Sequence, residues 1–195
     1  MKIIGLTGSI AMGKSDTLRM FAEEGVPTFD ADEFVHRLYA PGGRGVAAVE
    51  RLCPAAVVDG AVDRRRLSAA IEERPSLLSE LERAVHPLVR QELQQFLKTE
   101  RAKGSPMVVL DIPLLFETGR EKEFDTIVVV SAPPDVQKRR AMSRPGMTEE
   151  KFDLILSRQT PDAEKRARAD YVVDTGSGHE SAHSQVRRIV SQLRA

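Results

Sequence analysis

The chain has 195 residues, 41% of them hydrophobic, enough to bury a sizeable core as one large domain with at most a small appended part. Lys plus Arg and Asp plus Glu number 29 each, so no overall charge argues for nucleic acid or an acidic membrane surface as partner. The single cysteine, Cys53, excludes an internal disulfide and fits a reducing compartment, and no apolar run nears the roughly 20 residues that span a bilayer. The N-terminal apolar run is too short for a signal-peptide core, so a cytoplasmic location is expected.

Ile3, Ile4 and Leu6 form a short apolar run that ends in Thr7-Gly8. Gly8-x4-Gly13-Lys14-Ser15 follows, the spacing of a phosphate-binding loop. A helical stripe of Leu18, Phe21 and Ala22 starts at once, so the loop is expected between a strand and a helix. Its backbone amides would form an anion nest reinforced by the helix N-terminus. Ala11, Met12, Gly13, Lys14, Ser15 and Asp16 are the expected nucleotide contacts, to ATP or GTP, with Lys14 on the β- and γ-phosphates and Ser15 on Mg²⁺. Ala11 stands where many such loops carry glycine, so its backbone is expected to avoid positive φ. Asp16 brings negative charge, tolerable if it faces solvent or the metal.

A second short strand, 26–29, ends at Asp30-Ala31-Asp32, and a helix is expected to about residue 40. Pro41-Gly42-Gly43 stops it. Residues 44–52 and the stretch after Asp63 read as helices, with a turn at Asp59-Gly60 between them. A long stripe of Leu78, Leu81, Val85, Leu88, Phe96 and Leu97 follows, with a kink or break expected at His86-Pro87. Three continuous apolar runs, 107–110, 126–130 and 171–173, suit strands buried on both faces of a parallel sheet. Helices are expected at 135–143, 148–158, 161–168 and 180–194, with Thr148 and Thr160 as N-caps. The pattern is an α/β fold, a five-stranded parallel sheet flanked by helices, with a largely helical block, 40–103, inserted between the second and third strands. Ligands of such sheets bind beyond the carboxyl ends of the strands.

Those ends carry the chemistry. Asp32, in the first turn of a helix, can orient an acceptor hydroxyl for in-line attack, or it can simply pair with Asp30 in capping. Asp111 can hold Mg²⁺ or end a strand. Arg140 and Arg144, four apart, are expected on one helix face, where they can meet ATP phosphates or lie as a solvated basic face. A short helical hairpin after them resembles a kinase lid. Arg139, Lys165 and Arg168 read as surface. Arg64, first of three arginines, can dock a phosphate-bearing acceptor or form a solvated charge run. His86 can touch a ligand or sit hydrogen-bonded at the kink.

Together these residues resemble the dephospho-coenzyme A kinase family, nearly end to end. The matching strings are Ile4-Gly5-Leu6-Thr7-Gly8 with Gly13-Lys14-Ser15, Asp30-Ala31-Asp32, Asp63-Arg64 with Leu67, His86-Pro87 and Asp111-Ile112-Pro113-Leu114-Leu115-Phe116-Glu117. Gln137, Arg140 and Arg144 resemble the lid entry, and Arg158-Gln159 its return arm. Ala169-Asp170-Tyr171-Val172-Val173-Asp174 resembles the last strand, followed by Thr175 where Asn is frequent. The resemblance implies a P-loop NTPase-type kinase, 1–195, with core 1–39, 104–139 and 169–195, a helical acceptor region 40–103 and a lid 140–168. It implies ATP as co-substrate, Mg²⁺, and dephospho-coenzyme A phosphorylated on its ribose 3′-hydroxyl. The implied catalytic residues are Asp32, Lys14 and Arg140. The implied acceptor contacts are Asp32, Arg64, His86 and Leu115, and the implied metal ligands are Ser15 and Asp111. No nucleic acid or membrane partner is expected, and a monomer or weak homo-oligomer is. A kinase of another small hydroxyl acceptor, such as a nucleoside or sugar acid, and a non-catalytic nucleotide switch are the alternatives.

Overall fold

In a computed structural model that describes residues 1–194, β1 (Lys2–Thr7) leads to α1 (Lys14–Glu23), β2 (Thr28–Asp30) and α2 (Ala31–Tyr39). Next come α3 (Val46–Leu52), β3 (Val57–Val58), β4 (Ala61–Val62), α4 (Arg64–Glu73) and α5 (Ser76–Ala102). The chain ends with β5 (Met107–Asp111), β6 (Thr126–Ser131), α6 (Pro134–Met142), α7 (Glu149–Ser157), α8 (Asp162–Ala167), β7 (Tyr171–Asp174) and α9 (His179–Arg194). Two compact units result, one of residues 1–29 and 100–194, the other of residues 30–99.

The first unit is built on a five-stranded parallel sheet in the order β2-β5-β1-β6-β7. Ile4 of the central strand lies between Val109 of β5 and Thr126 of β6. Side chains alternate between the two faces of a strand, which is why the apolar runs are needed in full. Val128 and Val130 join Leu18 and Phe21 of α1 and Val186, Ile189 and Val190 of α9 on one side. Ile127 and Val129 pack with Leu115, Phe116 and Phe124 on the other.

The second unit closes over Val49, Ala56, Val62, Leu67, Leu77 and Leu81. Aspartates cap its helices: the Asp30 side chain accepts from the Glu33 amide of α2, and Asp63 accepts from the Arg65 and Arg66 amides of α4. The Asp59-Gly60 turn joins a small antiparallel hairpin, β3 with β4, which two-residue strands are too short to announce in sequence. Leu77, not Leu78, faces the core; Leu78 is 48% exposed. The expected break at Pro87 does not occur, and α5 runs unbroken through it. Pro87 and Arg83 both face solvent, so the carbonyl that loses its intrahelical donor can be served by water.

The arm between β6 and β7 corrects three further expectations. α6 ends at Met142, so Arg144 lies in the following turn and shares no helix with Arg140. Thr148 does cap α7, but Thr160 does not cap α8; its amide donates to Glu117 Oε1 at 2.8 Å. Lys165 is not a surface charge, whereas Arg168 is exposed as expected. Lys165 is fully buried and pairs with Glu117 at 2.8 Å, and Arg168 pairs with Glu121 and Glu164 while stacking 4.6 Å from the Phe116 ring centroid. A buried ammonium is tolerable only with such a partner.

Burial pushes the Glu117 carboxyl up, but the Lys165 ammonium beside it and the Glu117 and Thr160 backbone amides outweigh it and hold the group below its ordinary 4.5. A depressed folded-state value gives stability that is complete above the ordinary one and lost as pH falls through the folded one. Lys165→Met is therefore expected to cost about 3 kcal/mol at neutral pH. In acid melts, Tm of the parent should fall more steeply below about pH 4.5 than that of Glu117→Gln. Parallel acid slopes would contradict the pairing.

Candidate active site

β1 hands the chain to the phosphate loop in a tightly filled place. A Cβ on Gly8 would lie 2.7 Å from the Val130 carbonyl oxygen, so only glycine fits. Gly13 takes φ 93° as the residue before α1. Ala11 adopts φ 61°, contrary to the expectation that alanine would avoid this region. Left-handed backbone costs alanine roughly 1 kcal/mol. Packing against Ala141 and Phe152, in a buried cluster with Ile10, Met142 and Leu156, offsets it. The first turn of α1 leaves the Lys14, Ser15 and Asp16 amides without intrahelical acceptors, which suits an anion.

Lys14 reaches sideways to β5. Its ammonium pairs with both carboxylate oxygens of Asp111, which is 3% exposed. The register explains the meeting: Asp111 sits beside Leu6, where both strands end. Asp16 turns outward, half exposed, and pairs with Arg19. Ser15 is exposed on the first turn of α1.

Behind the loop lies a cleft of about 220 Å³ lined by Ala11, Gly13, Arg140, Arg144, Thr175 and His179. Arg140 and Arg144 thus meet at one cleft although they share no helix. Arg140 donates to Thr175 Oγ1 at 2.8 Å and to the Thr175 carbonyl at 2.9 Å. The Thr175 hydroxyl in turn donates to the Met12 carbonyl at 2.7 Å, tying the arginine to the loop. Arg144 is exposed and makes no ion pair among the described residues. Thr175 is a site residue that the sequence pattern noted only as a substitution for Asn.

Of the remaining expected residues, Asp32, Arg64 and His86 lie in the second unit and Leu115 in the first. Asp32 is exposed in the first turn of α2, and His86 is exposed on α5. Arg64 opens α4, close enough to Tyr39 for its charge to offset part of the rise that burial gives the phenol. Leu115 is fully buried in the core, so its side chain cannot meet a ligand; Leu114, 44% exposed, is the accessible neighbour.

Mg²⁺ fits the donor set. Ser15 Oγ and the Asp111 carboxylate are hard oxygen donors, and this ion takes few protein ligands alongside phosphate and water. No group of three or more His, Cys, Asp or Glu forms a metal cage among the described residues.

A phosphate loop between the central strand and its helix, a lysine beside a strand-end carboxylate, and an arginine-bearing arm over a cleft define a P-loop kinase. A family model described as "CoaE: Dephospho-CoA kinase" matches residues 2–180. The Rhizobium meliloti (strain 1021) dephospho-CoA kinase is 55% identical over 195 residues, covering 100% of both chains. The crystal structure of a Thermus thermophilus protein superimposes with a TM-score of 0.78 at 34% identity, covering 98% of this chain and 96% of that one. A dephospho-CoA kinase from Campylobacter jejuni shares the fold, with a TM-score of 0.70 at 18% identity over 98% and 97% of the two chains. The chain belongs to the dephospho-CoA kinase family, transferases that catalyse the last step of coenzyme A biosynthesis.

Thr175→Val removes the hydroxyl that joins Arg140 to the loop while keeping its shape. The loss of hydrogen bonds to a charged group should raise the ATP KM about tenfold, and the buried Met12 carbonyl left without its donor should lower Tm by about 2–4 °C. An unchanged ATP KM would show that the link has no part in nucleotide binding.

Proposed function

We propose that the chain transfers the γ-phosphoryl group of ATP to the ribose 3′-hydroxyl of dephospho-coenzyme A, giving coenzyme A and ADP. The observation that carries this reading is the loop at 8–15 with Lys14 held against Asp111, at the strand ends where this fold binds ligands. The loop amides and the first turn of α1 would grip the β- and γ-phosphates. Lys14 would turn from the carboxylate to the phosphate oxygens, charge for charge. Arg140 and Arg144 line the cleft next to Gly13 and would take ATP phosphates or adenine. Ser15 and Asp111 would hold Mg²⁺, which when bound neutralises charge on the phosphate oxygens.

The acceptor oxygen attacks the γ-phosphorus as the bond to ADP breaks. Asp32 would accept a hydrogen bond from the attacking hydroxyl and fix its direction. A loose transition state asks little of a base, so aim counts for more than basicity. The second unit would supply acceptor contacts through Arg64 and His86, with apolar contact from Leu114 in place of Leu115. In this scheme the chain works as one kinase domain with the acceptor region at 40–103 and the lid at 140–168. It acts in the cytoplasm, as a monomer or weak homo-oligomer, without nucleic acid or membrane; no helix among the described residues is long and apolar enough to cross a bilayer.

ATP consumption with dephospho-coenzyme A, adenosine or gluconate as acceptor tests the assignment. Turnover is expected with the first alone. Asp32→Asn should lower kcat about a hundredfold while leaving ATP affinity within twofold. Full turnover by Asp32→Asn would remove the carboxylate from the mechanism, and turnover with adenosine or gluconate in preference would overturn the acceptor.

A further inference from the structure

One residue of the phosphate loop is held by the helical arm through both of its backbone polar groups. The Ile10 amide donates to Gln159 Oε1 at 3.0 Å, and the Ile10 carbonyl accepts from Gln137 Nε2 at 2.9 Å. The backbone dictates both side-chain orientations, since an N–H needs an acceptor and a carbonyl needs a donor. Gln137 is 6% exposed, on α6. Gln159 follows α7, beside Thr160, whose amide is fixed by Glu117 and through it by buried Lys165. The two glutamines therefore reach the loop from opposite ends of the α7 hairpin, each from an anchored stretch of chain.

What they hold is the residue before the strained one. Ala11 follows at φ 61°, and the Met12 amide donates back to the Ser9 carbonyl at 3.3 Å. With the Ile10 and Met12 amides committed inside the protein, the remaining amides at the start of α1 are left to phosphate. A glycine-poor loop does not reach this shape freely, and an external grip on its apex is a means of keeping it.

We propose that Gln137 and Gln159 are positioning residues for ATP, acting through the Ile10 amide and carbonyl to hold the phosphate loop in its binding shape. This rests on the reading of residues 8–15 as the triphosphate site. The donor and acceptor roles give the two positions opposite responses to charge. Gln159→Glu keeps an acceptor for the amide. Gln137→Glu sets an acceptor against a carbonyl.

The test is fluorescent-ATP binding and steady-state kinetics on Gln137→Met, Gln137→Glu, Gln159→Met and Gln159→Glu, with Lys14→Ala alongside. Both Met variants should raise ATP Kd and KM about tenfold, with acceptor KM within twofold. Gln159→Glu should bind ATP at least fivefold better than Gln137→Glu. Equal losses in the two Glu variants, or ATP binding like the parent in both Met variants, would overturn the clamp. If those variants bind normally while Lys14→Ala does not, the clamp fails and the loop reading stands. If Lys14→Ala itself binds ATP as the parent does, the loop reading fails and the clamp falls with it. A measurement on the unaltered protein covers variants that do not fold: amide hydrogen exchange at Ile10 without nucleotide should be slowed at least tenfold relative to an unstructured loop, and free exchange there would overturn the proposal.

Discussion

The ion pair between Lys14 and Asp111 is the constraint on which the site depends. An ammonium and a carboxylate meet where two neighbouring parallel strands end, and the carboxylate is almost wholly removed from water. Neither charge is affordable there alone. The pair also sets the lysine's stem beside the loop, and in the proposed reaction a triphosphate arriving at the α1 N-terminus would compete with a carboxylate for a cation already in place. Exchange of one anion for another at a fixed cation costs less reorganisation than recruiting a mobile side chain.

A second layer of polar contacts ties the helical arm to that same loop. Lys165 with Glu117 fixes the return end, Gln137 and Gln159 meet at Ile10, and Arg140 reaches Met12 through Thr175. These contacts surround Ala11, whose small side chain lets the arm's apolar residues close in and whose backbone takes the strain. Loop and arm are thus one hydrogen-bonded body, and a change in either is felt by the other.

The phosphate loop, the five strands and the helices of the arm were legible because each rests on local pattern: a fixed glycine spacing, uninterrupted apolar runs, periodic stripes. What escaped depends on partners distant in sequence. Lys165 lies in a short charged helix and reads as solvent-facing; Glu117, which buries it, is 48 positions earlier. Leu115 and Leu114 are adjacent and alike, and only packing decides which enters the core. Ala11 shows the converse, a propensity overruled by the walls around it. The unbroken course of α5 through Pro87 shows that a proline on a solvent-facing stretch need not end a helix.

Calorimetric titration of ATP into the intact protein, with and without Mg²⁺, tests the central claim most directly. The account requires saturable one-to-one binding that tightens with Mg²⁺ and is weakened when inorganic triphosphate occupies the loop first. Absence of any magnesium-dependent heat from folded protein would contradict it.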